Sequence, residues 1–322
     1  MNKNDRVVFF YDLTLSAKVY KTRNPELKEW KPRCPVDLGE LADYWKKLKE
    51  QDKAWKEEDK KRKQIYIADI DISDDNVILL LNHTDTTAPT RVVRDIPSNK
   101  RTKEERTPTS GPDFSCHIVI SKKPNDDGTY RMLHEGGSIS SGRTIRFLNT
   151  LNIKASQEFP EGFQAPHPSG HVDKDGNPVS VKVAPEIKHQ GLMDDEFASD
   201  LARGSFSNIE LIQDLGQPGC LDEDVPNIFK ARIIKVEVKK EGIEYITKVG
   251  RIGRDRNFKK MKIQFKVDGV SRSAQIDTET MNLIDDTRYV KKNKISLEVR
   301  LATSYESIYQ PIKEQMLSLR HE

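Results

Sequence analysis

Nine cations suited to gripping phosphates crowd into one part of this chain: Lys239, Lys240, Arg251, Arg254, Arg256, Lys259, Lys260, Lys262 and Lys266. Residues 232–272 hold 13 Lys or Arg against 5 Asp or Glu, whereas the whole chain of 322 residues holds 54 against 51, a net charge of +3. The remainder is therefore net acidic. Much of that acid lies just upstream, where residues 190–224 carry nine carboxylates (Asp194, Asp195, Glu196, Asp200, Glu210, Asp214, Asp222, Glu223, Asp224) and one base, Arg203. A polyanion responds to a local basic field, which a near-neutral total conceals.

From Lys260 to Val267 the apolar residues Met261, Ile263, Phe265 and Val267 alternate with Lys260, Lys262, Gln264 and Lys266. Successive strand side chains point to opposite faces, so this order predicts one lysine face. Just before it, Arg251, Arg254 and Arg256 surround Gly250 and Gly253. Read as a loop, that segment brings backbone and planar guanidinium groups close to phosphate. The expected site is this lysine face beside an arginine–glycine loop. Aromatic residues are sparse here (Tyr245, Phe258, Phe265), which argues against base stacking and for backbone contacts to duplex DNA. The same charges also serve an ordinary solvated face, or pair with the upstream acids.

Other constellations are thinner. Asp69 and Asp71 share a strand face and Glu186-Ile-Lys188 follows another, an order that metal-dependent nucleases use for ligands and a charge-stabilising lysine. Pro185 is expected to interrupt the second strand, which favours plain surface charge. His167 and His171, near Asp173 and Asp175, lie in a Pro–Gly loop that does not fix two imidazoles as a helix does. His117 and His134 are expected on successive strands as a hydrogen-bonded structural pair. Phosphate loops, dinucleotide fingerprints, nucleophile elbows and zinc-finger spacings do not occur. The expectation is therefore no catalytic residues, no metal ligands and no cofactor, in a protein that leans away from enzymes.

Composition limits the setting. Three separated cysteines, Cys34, Cys116 and Cys220, do not make a disulfide framework, and no run reaches the ~20 apolar residues of a membrane span. A cytoplasmic protein with no direct membrane insertion is expected.

Stepping outward along the chain, Arg6–Leu15 predicts a strand. Asp37-x-x-Glu40 predicts a capping box opening a long helix through Lys63, with Leu38, Leu41, Trp45, Leu48 and Trp55 on its inner stripe. Residues 64–73 and 77–82, then 114–121 and 129–135, predict two hairpins, with 83–113 a long loop between them. Gly142 leads into a helix over 143–154. Strands at 179–183 and 206–213 flank a helix over 193–202. The basic segment predicts two or three further strands with Asp268–Gly269 as a turn. A last helix over 304–319 is expected to bend at Pro311. The expected fold is α+β, mostly antiparallel sheets with packed helices, in two domains: 1–155, and a β-rich 156–322 carrying the basic hairpin and terminal helix.

The order of elements around Gly137-Ser-Ile-Ser-Ser-Gly-Arg143, then VSVKVAPEI, MDDEFASDLARG and SFSNIELI, resembles part of the RexA-like phage-exclusion proteins, including the DNA-binding subunit of Kiwa anti-phage systems. The resemblance covers about the middle third and rests on pattern and the short Ser-Ser-Gly match. It implies a non-enzymatic, homodimeric DNA-binding protein that senses phage infection and signals to a membrane-protein partner. The alternatives are an interaction or inhibitor protein using the acidic segment 190–224, and a metal-dependent nuclease.

Overall fold

The fold is taken from a computed structural model that describes residues 4–20, 22, 24, 26–27, 30–170, 172, 174, 176, 179–214, 231–238, 243–284 and 288–321. In chain order the elements are β1 (Asp5–Val19), α1 (Leu38–Glu50), β2 (Trp55–Glu58), β3 (Lys63–Ile72), β4 (Asn76–Asp85), β5 (Val92–Arg94), β6 (Arg101–Lys103), β7 (Asp113–Ser121), β8 (Tyr130–Glu135) and α2 (Ser141–Glu158). Then follow β9 (Gln164–Pro166), β10 (Ser180–Gly191), α3 (Asp195–Arg203), β11 (Ser205–Asp214), β12 (Ala231–Val236), α4 (Ile243–Asp255), β13 (Lys260–Val267), β14 (Val270–Asp277), β15 (Lys292–Ser296) and α5 (Gln310–Ser318). This is the α+β class with mostly antiparallel sheets.

The chain forms two compact units, one of residues 1–8, 13–189 and 293–322, the other of 9–12 and 190–292. Residues 156–189 and 293–322 thus group with the first unit, and position 155/156 lies inside α2.

The first unit is built on a sheet in the order β2-β3-β4-β7-β8-β1-β10-β9, with β15 also on β1. The middle strand β4 is buried from Asn76 to His83, on both faces, as its unbroken apolar run requires. On one side lie α1 and α2. The capping box of Asp37 and Glu40 starts α1, and Leu38, Leu41, Trp45 and Leu48 are fully buried. Trp45 donates its indole N–H to Asn152 Oδ1 at 2.8 Å, which joins the two helices. The helix stops at Glu50, not Lys63. Asp52 takes φ 53° and Lys53 N–H returns to Leu48 O at 2.7 Å, a left-handed cap that turns Trp55 into β2.

The C-terminal segment also departs from expectation. Pro311 sits in the first turn of α5, where a missing N–H costs nothing, so no bend occurs. Residues 304–309 are not helical. Their N–H groups bond instead to the sheet: Tyr305 to Ser115 Oγ at 2.7 Å, Ile308 to Asp69 Oδ2 at 3.0 Å and Tyr309 to His117 Nε2 at 3.1 Å.

The second unit is a four-stranded antiparallel sheet, β12-β11-β13-β14. Its β13–β14 turn is Asp268–Gly269, both at positive φ (51° and 77°), the conformation a two-residue hairpin demands. Helices α3 and α4 pack on one face: Phe197 of α3 meets Phe265 and Tyr289, and α4 sits over Leu211 and Met261.

Candidate nucleic-acid interface

The strand period of β13 is as the alternation predicts. Met261, Ile263, Phe265 and Val267 are buried toward the helices, while Lys260, Lys262 and Lys266 lie on the other face, half-exposed or exposed. Lys235 of β12 joins them. Its register partner is Glu210, whose other partner is Lys262. Lys260 is opposite Asp277 on β14, and Lys266 is opposite Ser205 and Ser271. The face therefore carries four lysines, two carboxylates and a polar fringe of Asn208, Gln264, Gln275 and Ser273. One member of the acidic segment, Glu210, stands among the cations. Since β13 has a neighbour on each side, its lysines are not edge guards.

The arginine–glycine segment is a helix, not a loop. In α4, Ile246, Val249, Gly250 and Gly253 form one buried stripe at helical spacing. Two glycines cost a helix about 1 kcal/mol each, which made a loop the natural reading. They serve close packing: a Cβ on Gly250 would meet Met281 Sδ at 2.6 Å, and one on Gly253 would meet Leu211 Cδ2 at 2.8 Å. Arg251 and Arg254 then point outward from the helix, and Arg256 and Lys259 occupy the turn after it, where cations favour the negative helix end. Because α4 covers the buried face of the sheet, Arg251 and Arg254 are carried on the opposite side from Lys262 and Lys266, while Arg256 and Lys259 lie in the connection between α4 and β13. The predicted single surface is two. Lys239 and Lys240 lie outside the described residues. Arg251, Arg256, Lys259, Lys262 and Lys266 form no ion pair with another described residue.

The upstream acids do structural work. Asp194 caps α3 by accepting from Glu196 N–H at 3.2 Å, with Asp195 and Glu196 in its first turn. Asp200 is buried, bound by Arg272 Nη1, by Arg203 Nη2 at 3.1 Å and by Tyr289 OH at 3.0 Å. Burial pushes the Tyr289 hydroxyl pKa up, and its bond with Arg272 helps hold that guanidinium charged. Asp222, Glu223 and Asp224 lie outside the described residues.

The nuclease-like acids are not gathered. Asp69 and Asp71 on β3 and Glu186 on β10 are five strands apart, about 24 Å at ~4.8 Å per strand. Asp69 accepts from Ile308 N–H, Asp71 pairs with Lys313 at 2.7 Å, and Glu186 pairs with Lys18 at 2.9 Å. Pro185 does not interrupt β10; β9 pairs with only Ser180–Lys182 of that strand, so the proline sits beyond the paired stretch on that side. Among the described residues, no group of three His, Cys, Asp or Glu is placed to hold a metal. His171, Asp173 and Asp175 lie outside them.

His117 and His134 do not pair, because neighbouring positions on β7 and β8 face opposite ways. His117 Nδ1 donates to Glu135 Oε2 at 2.7 Å while its Nε2 accepts from Tyr309, which fixes its tautomer and tethers the C-terminal segment. Burial opposes ionisation of Glu135, but hydrogen bonds from His117 and the charge of Arg6 hold its pKa below the usual carboxylate range. His134 faces α2 instead, with Nε2 3.0 Å from Thr144 Oγ1, and burial lowers its pKa to about 4.

Residues 83–113, expected as a loop, contain the β5–β6 ribbon, with three-residue strands too short to announce themselves by period. Among the described residues, no helix is long and apolar enough to cross a membrane. Comparison of the chain with protein families, curated proteins and solved structures finds no match.

Proposed function

We propose that this chain binds duplex DNA through its phosphates, without reading base sequence, as a non-enzymatic part of a defence system against phage. The observation that carries the reading is the strand period of β13, which gathers Lys260, Lys262 and Lys266 beside Lys235 on the sheet face turned away from α3 and α4. Lysines on a pleated face match a phosphate backbone as point charges and carry no base information. The defence role, a homodimeric state and a membrane-protein partner rest on the RexA-like order of elements. The inhibitor reading is weaker, since Asp194 and Asp200 are spent on a helix cap and a buried ion pair. Dispersal of Asp69, Asp71 and Glu186 speaks against the nuclease reading.

Electrophoretic binding to unrelated duplexes at several salt concentrations tests the proposal. Lys260, Lys262 and Lys266 changed together to Glu should weaken binding to all duplexes alike. With a slope of roughly −0.9 per neutralised phosphate, the triple variant should flatten the log–log salt dependence by about 2.7. Arg251→Glu with Arg254→Glu probes the other side of the sheet and should leave binding nearly intact. A salt-independent complex, or unchanged binding by the lysine variant, defeats the reading.

A further inference from the structure

The β5–β6 ribbon is a two-stranded sheet of its own. Among the described residues it pairs with no other strand, and every residue from 89 to 105 is exposed. Isolated two-stranded hairpins are marginal in water. This one is held at both ends. At its root, Arg106 donates Nη1 to the carbonyls of Ala88 and Pro89, each at 3.1 Å, and pairs with Glu104 at 2.6 Å. At its tip, Asp95 accepts from Ser98 N–H at 2.9 Å and from the Ser98 hydroxyl, and Arg94 bonds Asn99 Oδ1. The tip therefore presents Ile96, 88% exposed, followed by Pro97, on a fixed turn.

Register divides the ribbon into two unlike faces. Val92 opposes Lys103 and Arg94 opposes Arg101, so over the paired residues one face carries three cations and no acid, and the other carries Val93 and Thr102. Two arginines directly opposite on an exposed ribbon repel, which is a cost for the free protein and an advantage against phosphates. An exposed isoleucine at the end of such a ribbon is likewise costly until something covers it.

We propose that this ribbon is a DNA-bending arm, which lays Arg94, Arg101 and Lys103 along the phosphates and inserts the Ile96–Pro97 tip between base steps from the minor groove. Wedges of Ile or Pro unstack a step and kink the duplex toward the major groove, and the reading of A·T against G·C there is degenerate, in keeping with sequence-independent binding. A lipid surface fits less well: Val92 and Val93 point to opposite faces, so the ribbon has no single apolar side to lie in a bilayer. The arm rests on the DNA-binding reading but makes a separate claim about deformation.

The test uses the full chain with end-labelled duplexes, for bending by energy transfer, and duplexes carrying 2-aminopurine, whose fluorescence rises on unstacking. The intact protein should bend the duplex and raise the signal. Ile96→Ala should abolish both changes while affinity shifts by less than about 5-fold, because the unstacking cost disappears with the wedge. Arg94→Glu with Arg101→Glu should lower affinity by roughly 10-fold or more at low salt. All these side chains are exposed, and an unchanged circular dichroism spectrum confirms the fold. Binding with no bending or unstacking, or a deformation that survives Ile96→Ala, overturns the arm and leaves the phosphate reading standing. No binding by the intact chain overturns both. Binding to phosphatidylserine vesicles that depends on Ile96, with no deformation of DNA, overturns the arm in favour of a membrane.

Discussion

The lysine face of β13 and the β5–β6 ribbon are both basic and exposed, yet their surroundings are unlike. The lysines alternate with side chains that are fully buried, and Glu210 and Asp277 sit across from them in register. That face is the outer side of a packed core. The ribbon has no core: both its faces are exposed, and its arginines oppose each other rather than an acid. The first arrangement suits a firm platform whose charge is partly balanced. The second suits an element that gains by being covered. A charge count along the chain finds the first and passes over the second, because only register reveals that two arginines face one another.

If the lysine face is a platform, its rigidity depends on what lies beneath. Arg272, on the buried face of β14, is held by Asp200 and Tyr289. Asp200→Ala leaves that guanidinium without its counter-charge and Tyr289 without its acceptor, which should loosen the sheet. Amide exchange in β11, β13 and β14 under mild denaturant should show the loss. Unaltered protection would mean that the platform does not depend on this ion pair.

Acid should separate the hosts of the two regions. Residues 190–292 contain no histidine, whereas the ribbon's unit buries His134. Its pKa in the fold, about 4, is below the unfolded value of 6.5. The unfolded chain therefore binds the proton first, and stability falls as pH drops from 6.5 toward 4. Once both states are protonated the loss is about 3 kcal/mol at ~1.4 kcal/mol per tenfold change in affinity. Burial lowers the His83 pKa as well, which adds to the same window. Trp30, Trp45 and Trp55 all belong to this unit, so tryptophan fluorescence reports it alone. His134→Gln should flatten the slope between pH 6.5 and 4. A slope of equal size in the variant would assign the acid sensitivity elsewhere.

Wherever one period ran long enough, the sequence was a sufficient guide. The KMKIQFKV alternation, the Asp37–Glu40 box with its stripe to Leu48, and the Asp268–Gly269 turn all specify their conformation locally. The errors arose where packing decided. Gly250 and Gly253 are poor helix residues on their own, and only Met281 and Leu211, distant in sequence, explain why nothing larger fits. The end of α1 depends on one left-handed residue, Asp52, that no pattern marks. The separation of His117 from His134 follows from a β7–β8 register that fixes His134 against Ile118, so the two rings face apart. The split of the described cations has the same origin: once Arg251 and Arg254 join a helix on the buried side, they cannot share a face with the lysines of β13.

The smallest expected effect draws the comparison most finely. Arg106 is 12% exposed and ties the ribbon's root to Ala88, Pro89 and Glu104. Nothing in the large sheet rests on those bonds. Arg106→Ala should therefore leave unfolding monitored by tryptophan within about 0.5 kcal/mol of the parent, because its bonds are confined to the ribbon's root. Local opening is another matter. Losing roughly 1.4 kcal/mol of root contacts would raise the open population of residues 89–105 about tenfold, read as faster amide exchange or proteolytic nicking there. If instead the global midpoint moves and the ribbon does not loosen, the ribbon is folded as part of the core, its exposure is no sign of an awaited partner, and the contrast with the lysine platform fails.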